Sequence, residues 1–243
     1  MHIVYITKPP KTGIDVYLFD EADSTNNVIK NGDYKAFDVV LANVQTNGRG
    51  RNGKPFISNQ GGLYFSMLIP ADGSSADEYI TPLAGVAAVK ALKAFGISAK
   101  IKWVNDIFVK SRKICGILAE RFTKNGADYI ALGIGINVNN EDFGEYKNIA
   151  TSMSLEKYVF FKTSDVAAAL MDNLIALIKE NDKKSVMELY KKYSMVIGKN
   201  IVLAETDEKV FVKDIDENGA LVVADASGSE RIVNSGSIFF GGY

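Results

Sequence analysis

Residues 102–120 read Lys-Trp-Val-Asn-Asp-Ile-Phe-Val-Lys-Ser-Arg-Lys-Ile-Cys-Gly-Ile-Leu-Ala-Glu, and the fold is read outward from them. Ile107–Val109 and Ile114–Phe122 are apolar, β-branched runs separated by the polar turn Lys110–Arg112, which is the pattern of a hairpin. Ala99–Trp103 reads as a strand before it. Tyr129–Val138 reads as a strand after it, beyond a turn at Lys124–Ala127. The segment holds the only Trp and the only Cys of the chain. Asp106 and Lys113 lie on either side of the hairpin. Lys113 leads into an apolar strand, so its stem is expected to be partly buried with the ammonium turned into a site. A turn lysine at a strand edge is the alternative. Cys115 reads as a small buried hydrophobe.

Toward the N-terminus, Asp77–Phe95 carries apolar residues at helical spacing and ends at Gly96. Leu63–Ile69, Val39–Val44 and Ile14–Phe19 read as strands. Ser24-Thr25-Asn26 opens a short helix, with Asp23 or Ser24 as its N-cap. Toward the C-terminus, Ser164–Glu180 and Lys184–Tyr193 read as helices. Beyond Gly198 the pattern changes to short strands: Asn200–Ala204, Lys209–Ile215, Ala220–Val223, Glu230–Val233 and Ser237–Phe240, with a tight turn at Asn218-Gly219. The expectation is an α+β domain over 1–196 and a small β-barrel over 197–243.

The chain has 243 residues, a formal net charge of −1 and a pI near 6.0, which gives no footprint of a global nucleic-acid or polybasic membrane binder. One Cys and one His exclude an internal disulfide and a His/Cys zinc cluster. No apolar run approaches the ~18–20 residues that span a bilayer, and no secretory leader is evident. A soluble cytoplasmic protein is expected.

Gln45–Gly62 is a long polar stretch with glycines at 48, 50, 53, 61 and 62. Its Gly48-Arg49-Gly50-Arg51-Asn52-Gly53-Lys54 imitates both a dinucleotide fingerprint and a P-loop. Both need a helix immediately afterwards, and residues 55–62 lack helical periodicity. Pro55 also stands where a P-loop has Ser or Thr. The loop still suits an anion: glycines let the backbone approach, and arginines supply planar forks for carboxylate or phosphate. A mobile solvated loop with incidental charge remains the alternative for the loop taken alone.

Four ordered places then combine: Ser24-Thr25-Asn26, Gln45 with Gly48-Arg49-Gly50-Arg51, the 102–120 run, and Gly133-Ile134-Gly135-Ile136-Asn137-Val138. In this order and spacing the chain resembles the biotin–protein ligase family over about residues 14–240, in the short form without an N-terminal DNA-binding domain. The resemblance implies a mixed β-sheet flanked by helices, as in the class II synthetase-like biotin/lipoate ligase core, followed by an SH3-like barrel. It implies activation of biotin by ATP as biotinoyl-5′-AMP, then transfer to a lysine of a biotin carboxyl carrier domain, with Mg2+. Ser24, Thr25 and Gln45 would meet the ureido ring, and Asn26 would also bind biotin. Gly48, Arg49, Gly50 and Arg51 would fold over biotin and the adenylate. Gly116, Leu118 and Gly133 would line the biotin pocket, and Lys113 would touch both carboxyl oxygen and α-phosphate. Arg49, Arg51, Phe56, Lys102, Asn105, Asp106, Lys113 and Asn137 would serve ATP, with Asp106 near magnesium. Lys113, Arg49, Arg51 and Asp106 are the catalytic candidates.

The family usually has Trp where this chain has Phe56, and Pro where it has Val104. Phe still packs on a base, and Val suits a strand end. The rivals are a biotin-sensing repressor, a lipoate or octanoate ligase or transferase, and an inactive carrier-binding protein. DNA and membrane are not expected partners, and a monomer or a homodimer through sheet edges is implied.

Overall fold

In a computed structural model, which describes residues 2–3, 14–71, 73 and 79–240, the 102–120 hairpin lies at one edge of an eight-stranded mixed sheet. The strands are β1 (His2–Ile3), β2 (Val16–Ala22), β3 (Val39–Gln45), β4 (Leu63–Pro70), β5 (Lys100–Lys102), β6 (Asp106–Val109), β7 (Arg112–Lys124) and β8 (Ala127–Ile136). Their order is β1-β2-β3-β4-β8-β7-β6-β5. Only β2 and β3 pair in parallel, because the helix α1 (Thr25–Asn31) carries the chain back between them. Asn125 and Gly126 take positive φ in the β7–β8 turn, as a two-residue hairpin turn demands.

The period of two divides the sheet's side chains between its faces. Val40, Leu68 and Ala131 pack under Ile29 of α1. Val39, Leu41, Met67 and Leu132 face the opposite layer, made by α2 (Ile80–Ala94), α4 (Thr163–Glu180) and α5 (Lys183–Tyr193). α2 is buried on nearly every side, which its small residues Ala84, Gly85, Ala87, Ala88 and Ala91 permit. Asp77 and Glu78, expected to begin this helix, lie outside the described residues. A short α3 (Met153–Lys157), capped by Ser152, was not expected. Five residues are too few to display a helical period.

The C-terminal strands β9 (Asn200–Leu203), β10 (Glu208–Ile215), β11 (Leu221–Ala224), β12 (Glu230–Val233) and β13 (Ile238–Phe240) form one antiparallel sheet, ordered β12-β11-β10-β9-β13. It is docked on the first unit: Trp103 Nε1 donates to Gly219 O at 2.8 Å, and Met195 N donates to Ile101 O at 2.9 Å. Ile201, Val210, Val212 and Leu221 join the same apolar core as α2. No helix among the described residues is long and apolar enough to cross a membrane.

Candidate active site

Strand register assembles the floor of a cleft. Tyr64 lies opposite Gly135, Gly135 opposite Gly116, Gly116 opposite Asp106, and Asp106 opposite Lys102, one transverse row across five strands. The neighbouring row is Ser66, Gly133 and Leu118. The three glycines leave a trough that other side chains occupy. A Cβ on Gly135 would lie 2.5 Å from the Phe56 ring, one on Gly116 3.1 Å from it, and one on Gly133 2.5 Å from Asn26 Oδ1.

A bulge aims the lysine into this trough. Ile107 pairs with Cys115 but Phe108 pairs with Lys113, so Ile114 is the extra residue of β7 and is buried in the core. The bulge brings Lys113 to the same face as Gly116, three positions away, as bulges beside functional sites commonly do. Main-chain bonds fix it there: Lys113 N donates to Ile149 O at 2.8 Å, and Thr151 N donates to Lys113 O at 2.9 Å. The ammonium pairs with Asp106 Oδ1 at 2.6 Å and lies 5.5 Å from the centre of the Phe56 ring. Lys102 sits between the rings of Phe108 (5.2 Å) and Phe239 (5.9 Å). Burial depresses its pKa first; the like charges of Lys113 and Lys54 push the same way, and Asp106 opposes them. Cys115 is fully buried, and burial raises its thiol pKa beyond use as a nucleophile.

The glycine stretch folds back over the floor as a small hairpin. Gly50 N donates to Lys54 O at 2.7 Å and Phe56 N to Gly48 O at 2.9 Å, with Asn52 and Gly53 at positive φ at the tip. No helix follows it, as the periodicity foretold; the hairpin's tip contains a 3-10 turn, Arg51–Gly53. Phe56 hangs from this hairpin into the trough and meets Tyr64 edge-on, with ring centres 6.5 Å apart. Arg51 Nη1 reaches Gly236 O of the C-terminal sheet at 3.5 Å.

The end of the cleft next to α1 is polar. Thr25 N and Oγ1 both donate to Gln45 Oε1 (2.8 and 3.1 Å), and Gln45 Nε2 donates to Ser58 Oγ at 2.8 Å. Ser66 Oγ bridges Thr25 Oγ1 and Asn26 Oδ1 at 2.8 and 2.6 Å. Asn26 Nδ2 donates to Glu120 Oε2 at 2.7 Å. Ser24 occupies the N-cap of α1, yet its side chain makes no capping bond, so the hydroxyl is left for something in the cleft.

The cleft is open to solvent and has a cavity volume of about 180 Å³. Ser24, Thr25, Asn26, Gln45, Arg49, Gly50, Arg51, Phe56, Lys102, Asn105, Asp106, Lys113, Gly116, Leu118 and Gly133 all line it. Two expected residues do not. Gly48 is packed at the hairpin's base, where a Cβ would come within 2.4 Å of Ser58 Oγ. Asn137 turns away from the cleft and donates to Thr151 O at 3.0 Å, because the loop 149–151 lies against β7 and needs that donor. Val104 belongs to the turn between β5 and β6, not to a strand end. Sequence reading missed Lys54, Tyr64, Gly135 and the Gly236–Phe239 segment, which also line the cleft. Gly135 and Lys54 stood inside noted glycine patterns; nothing local marks Tyr64 or the Gly236–Phe239 segment.

Similarity to known proteins gives the class to which this fold and cleft belong. Residues 18–137 match the model of the biotin/lipoate A/B protein ligase family. Residues 196–241 match that of the biotin protein ligase C terminal domain. The chain belongs to the biotin–protein ligase family. Over 233 residues it is 29% identical to the bifunctional ligase/repressor BirA of Bacillus subtilis (strain 168), covering 90% of this chain and 71% of that relative. The corresponding protein of Escherichia coli (strain K12) is 28% identical, at 87% and 70% coverage. The biotin protein ligase of Aquifex aeolicus, solved in complex with biotin and ATP, superposes with a TM-score of 0.84 at 26% identity, covering 93% of this chain and 99% of that one.

Proposed function

We propose that this protein activates biotin with ATP as biotinoyl-5′-AMP and transfers the biotinoyl group to the ε-amine of a specific lysine on a biotin carboxyl carrier domain. The observation that carries the proposal is the placement of one ammonium, Lys113, on a glycine floor beneath a hairpin bearing Arg49 and Arg51, with an uncharged polar wall at the far end.

The wall of Ser24, Thr25 and Gln45 takes the ureido ring, a neutral polar group that is costly to bury without partners. The bicyclic ring system lies beside Asn26 and Leu118, and the acyl chain takes the trough over Gly116 and Gly135 once the Phe56 ring, which fills it in this structure, rises to lie upon the chain. A biotin carboxylate oxygen attacks the α-phosphorus of ATP. The bond from that phosphorus to the β-phosphate oxygen breaks, and pyrophosphate leaves. Lys113 exchanges Asp106 for the carboxylate and α-phosphate oxygens and neutralises charge that grows there. Arg49 and Arg51 close on the phosphate from above, and Lys102 and Asn105 serve the nucleotide side. The mixed anhydride hydrolyses if water enters, so the hairpin excludes it.

Among the described residues no three His, Cys, Asp or Glu side chains gather as a metal cage. Asp106 is the one carboxylate lining the cleft. That donor set fits magnesium arriving on the phosphates of ATP, since the ion keeps several waters and needs one or two carboxylates. In the second step the carrier amine attacks the acyl carbon, AMP departs, and the amine gives up a proton. Asp106, released from Lys113, is the carboxylate at hand to accept it.

The test is exchange of labelled pyrophosphate into ATP. Exchange that depends on biotin, and that lipoate does not support, is the expected result. Exchange driven by lipoate would move the protein to the other branch of the ligases, and no exchange with either acid would reject adenylation.

A further inference from the structure

We propose that Tyr64 and Asn140 form a latch on the C-terminal root of the glycine hairpin, and that this latch sets how long the adenylate stays in the cleft. The inference rests on the ligase reading and adds two positioning residues to it.

The hairpin leaves the cleft through residues 59–62 and becomes β4. At that exit the Tyr64 hydroxyl donates to Asn59 O. Asn140 Nδ2 donates to Asn59 O at 3.1 Å and to the Tyr64 oxygen at 3.2 Å, and it reaches Gln60 O at 3.5 Å. Asn139 N donates to Gly61 O at 2.8 Å. Gly61 has φ +101°, and a Cβ there would lie 3.1 Å from the Asn139 carbonyl carbon, so backbone rests directly on backbone. Tyr64 is 1% exposed and Asn140 4%.

The orientation of the Asn140 amide is dictated by its neighbours. Asn59 O and Gln60 O can only accept, and the Tyr64 oxygen has already given its proton to Asn59 O. The amide nitrogen must therefore face all three. The cost is visible: Asn140 Oδ1 is the one buried side-chain polar atom without a partner among the described residues. A stranded buried acceptor is tolerated where the donor opposite it matters more. Burial raises the phenol to about 12, so it stays a neutral donor at working pH.

The same Tyr64 ring is the seat of Phe56, whose backbone belongs to the moving part of the hairpin. The root ends at Ser58, which β3 holds through Gln45 N to Ser58 O at 3.0 Å and Gln45 Nε2 to Ser58 Oγ at 2.8 Å; beyond it, the tip has its own internal bonds and the 3.5 Å contact of Arg51 with Gly236. A root held at Ser58 by Gln45 and at Asn59 by Tyr64 and Asn140, with a lightly tied tip, is a flap hinged at Ser58–Asn59. Loosening the root lets the whole hairpin, with Phe56, lift from the acyl chain.

The experiment loads the full chain with labelled biotin and ATP, removes free ligand by rapid filtration, and follows bound biotinoyl-AMP without a carrier. Tyr64→Phe keeps the seat and loses the two latch bonds of the hydroxyl, to Asn59 O and from Asn140 Nδ2. Asn140→Asp keeps the shape and turns a donor into a charge facing two carbonyl oxygens. Retention half-life is expected to fall a few-fold in Tyr64→Phe and about tenfold in Asn140→Asp. In Asn140→Asp it should recover as pH falls, because the protonated carboxyl can donate again; a merely loosened fold would not recover. Should Asn140→Asp fail to fold, Tyr64→Phe carries the test. Retention equal to wild type in the folded variants overturns the latch. A wild-type protein that forms no adenylate overturns the ligase reading instead.

Discussion

The floor and the roof of the cleft are built by different physics. The floor is set by strand register: Tyr64, Gly135, Gly116, Asp106 and Lys102 meet because five strands pair in one way, and a one-residue slip would turn each of them to the other face. The roof is a short hairpin anchored at its root by Gln45, Tyr64 and Asn140, whose tip has a handful of bonds of its own and one 3.5 Å contact to the C-terminal sheet. A register-fixed floor suits the step in which charge develops at a fixed point. A lightly held roof suits the admission of two substrates and the retention of one intermediate. Damage to the floor should slow adenylate formation, and damage to the roof should hasten adenylate escape.

The largest expected effect is on the floor. Lys113→Ala removes the cation aimed at the reacting oxygens and should lower the single-turnover rate of adenylate formation by about 10²–10³. The fold should survive, since Lys113 is partly exposed and its main-chain bonds do not need the side chain. On the roof, Arg51→Gly should leave formation within a few-fold of wild type and speed adenylate escape about tenfold, by loss of a charge-assisted contact. Gly135→Ala joins the two regions, because its new Cβ would displace Phe56 from the floor. The KM for biotin should rise about five- to tenfold, against a smaller change in kcat; a rise in the KM for ATP alone would place Phe56 on the nucleotide instead. The smallest effect is a pH dependence. Burial lowers the pKa of Lys102, so its charge is lost at a lower pH than that of an ordinary lysine. ATP affinity should weaken as pH rises through a range below that in which an unperturbed lysine titrates. Lys102→Arg, which stays charged throughout, should flatten that profile.

The same contrast explains what the sequence could tell. The 102–120 hairpin was legible because its apolar residues and its turn are local signals. The class of the C-terminal strands was legible for the same reason. Gly116, Leu118 and Gly133 came with a recognisable pattern, and the structure brings them to the cleft. Tyr64 looked like any aromatic of a buried strand, since its role depends on Gly135 across the sheet and Asn140 beyond it. Gly236–Phe239 lies more than a hundred residues from the hairpin it touches, and the docking of the whole C-terminal sheet, by Trp103 on Gly219 and by the shared apolar core, brings it there. Asn137 misled because a motif gives a residue's neighbourhood and not its rotamer: one residue past β8, its amide serves the 149–151 loop. The Ile114 bulge, which aims Lys113, has no local sequence mark at all.

The central claim is that one ammonium and one hairpin act on the same acyl–phosphate junction at different steps. A rapid-quench time course of wild type, Lys113→Ala and Arg51→Gly with labelled biotin and ATP measures both steps in one sample. The account predicts that Lys113→Ala loses formation, while Arg51→Gly forms the adenylate and then loses it. Near-normal pyrophosphate release by Lys113→Ala, or formation in Arg51→Gly as slow as in Lys113→Ala, would contradict it.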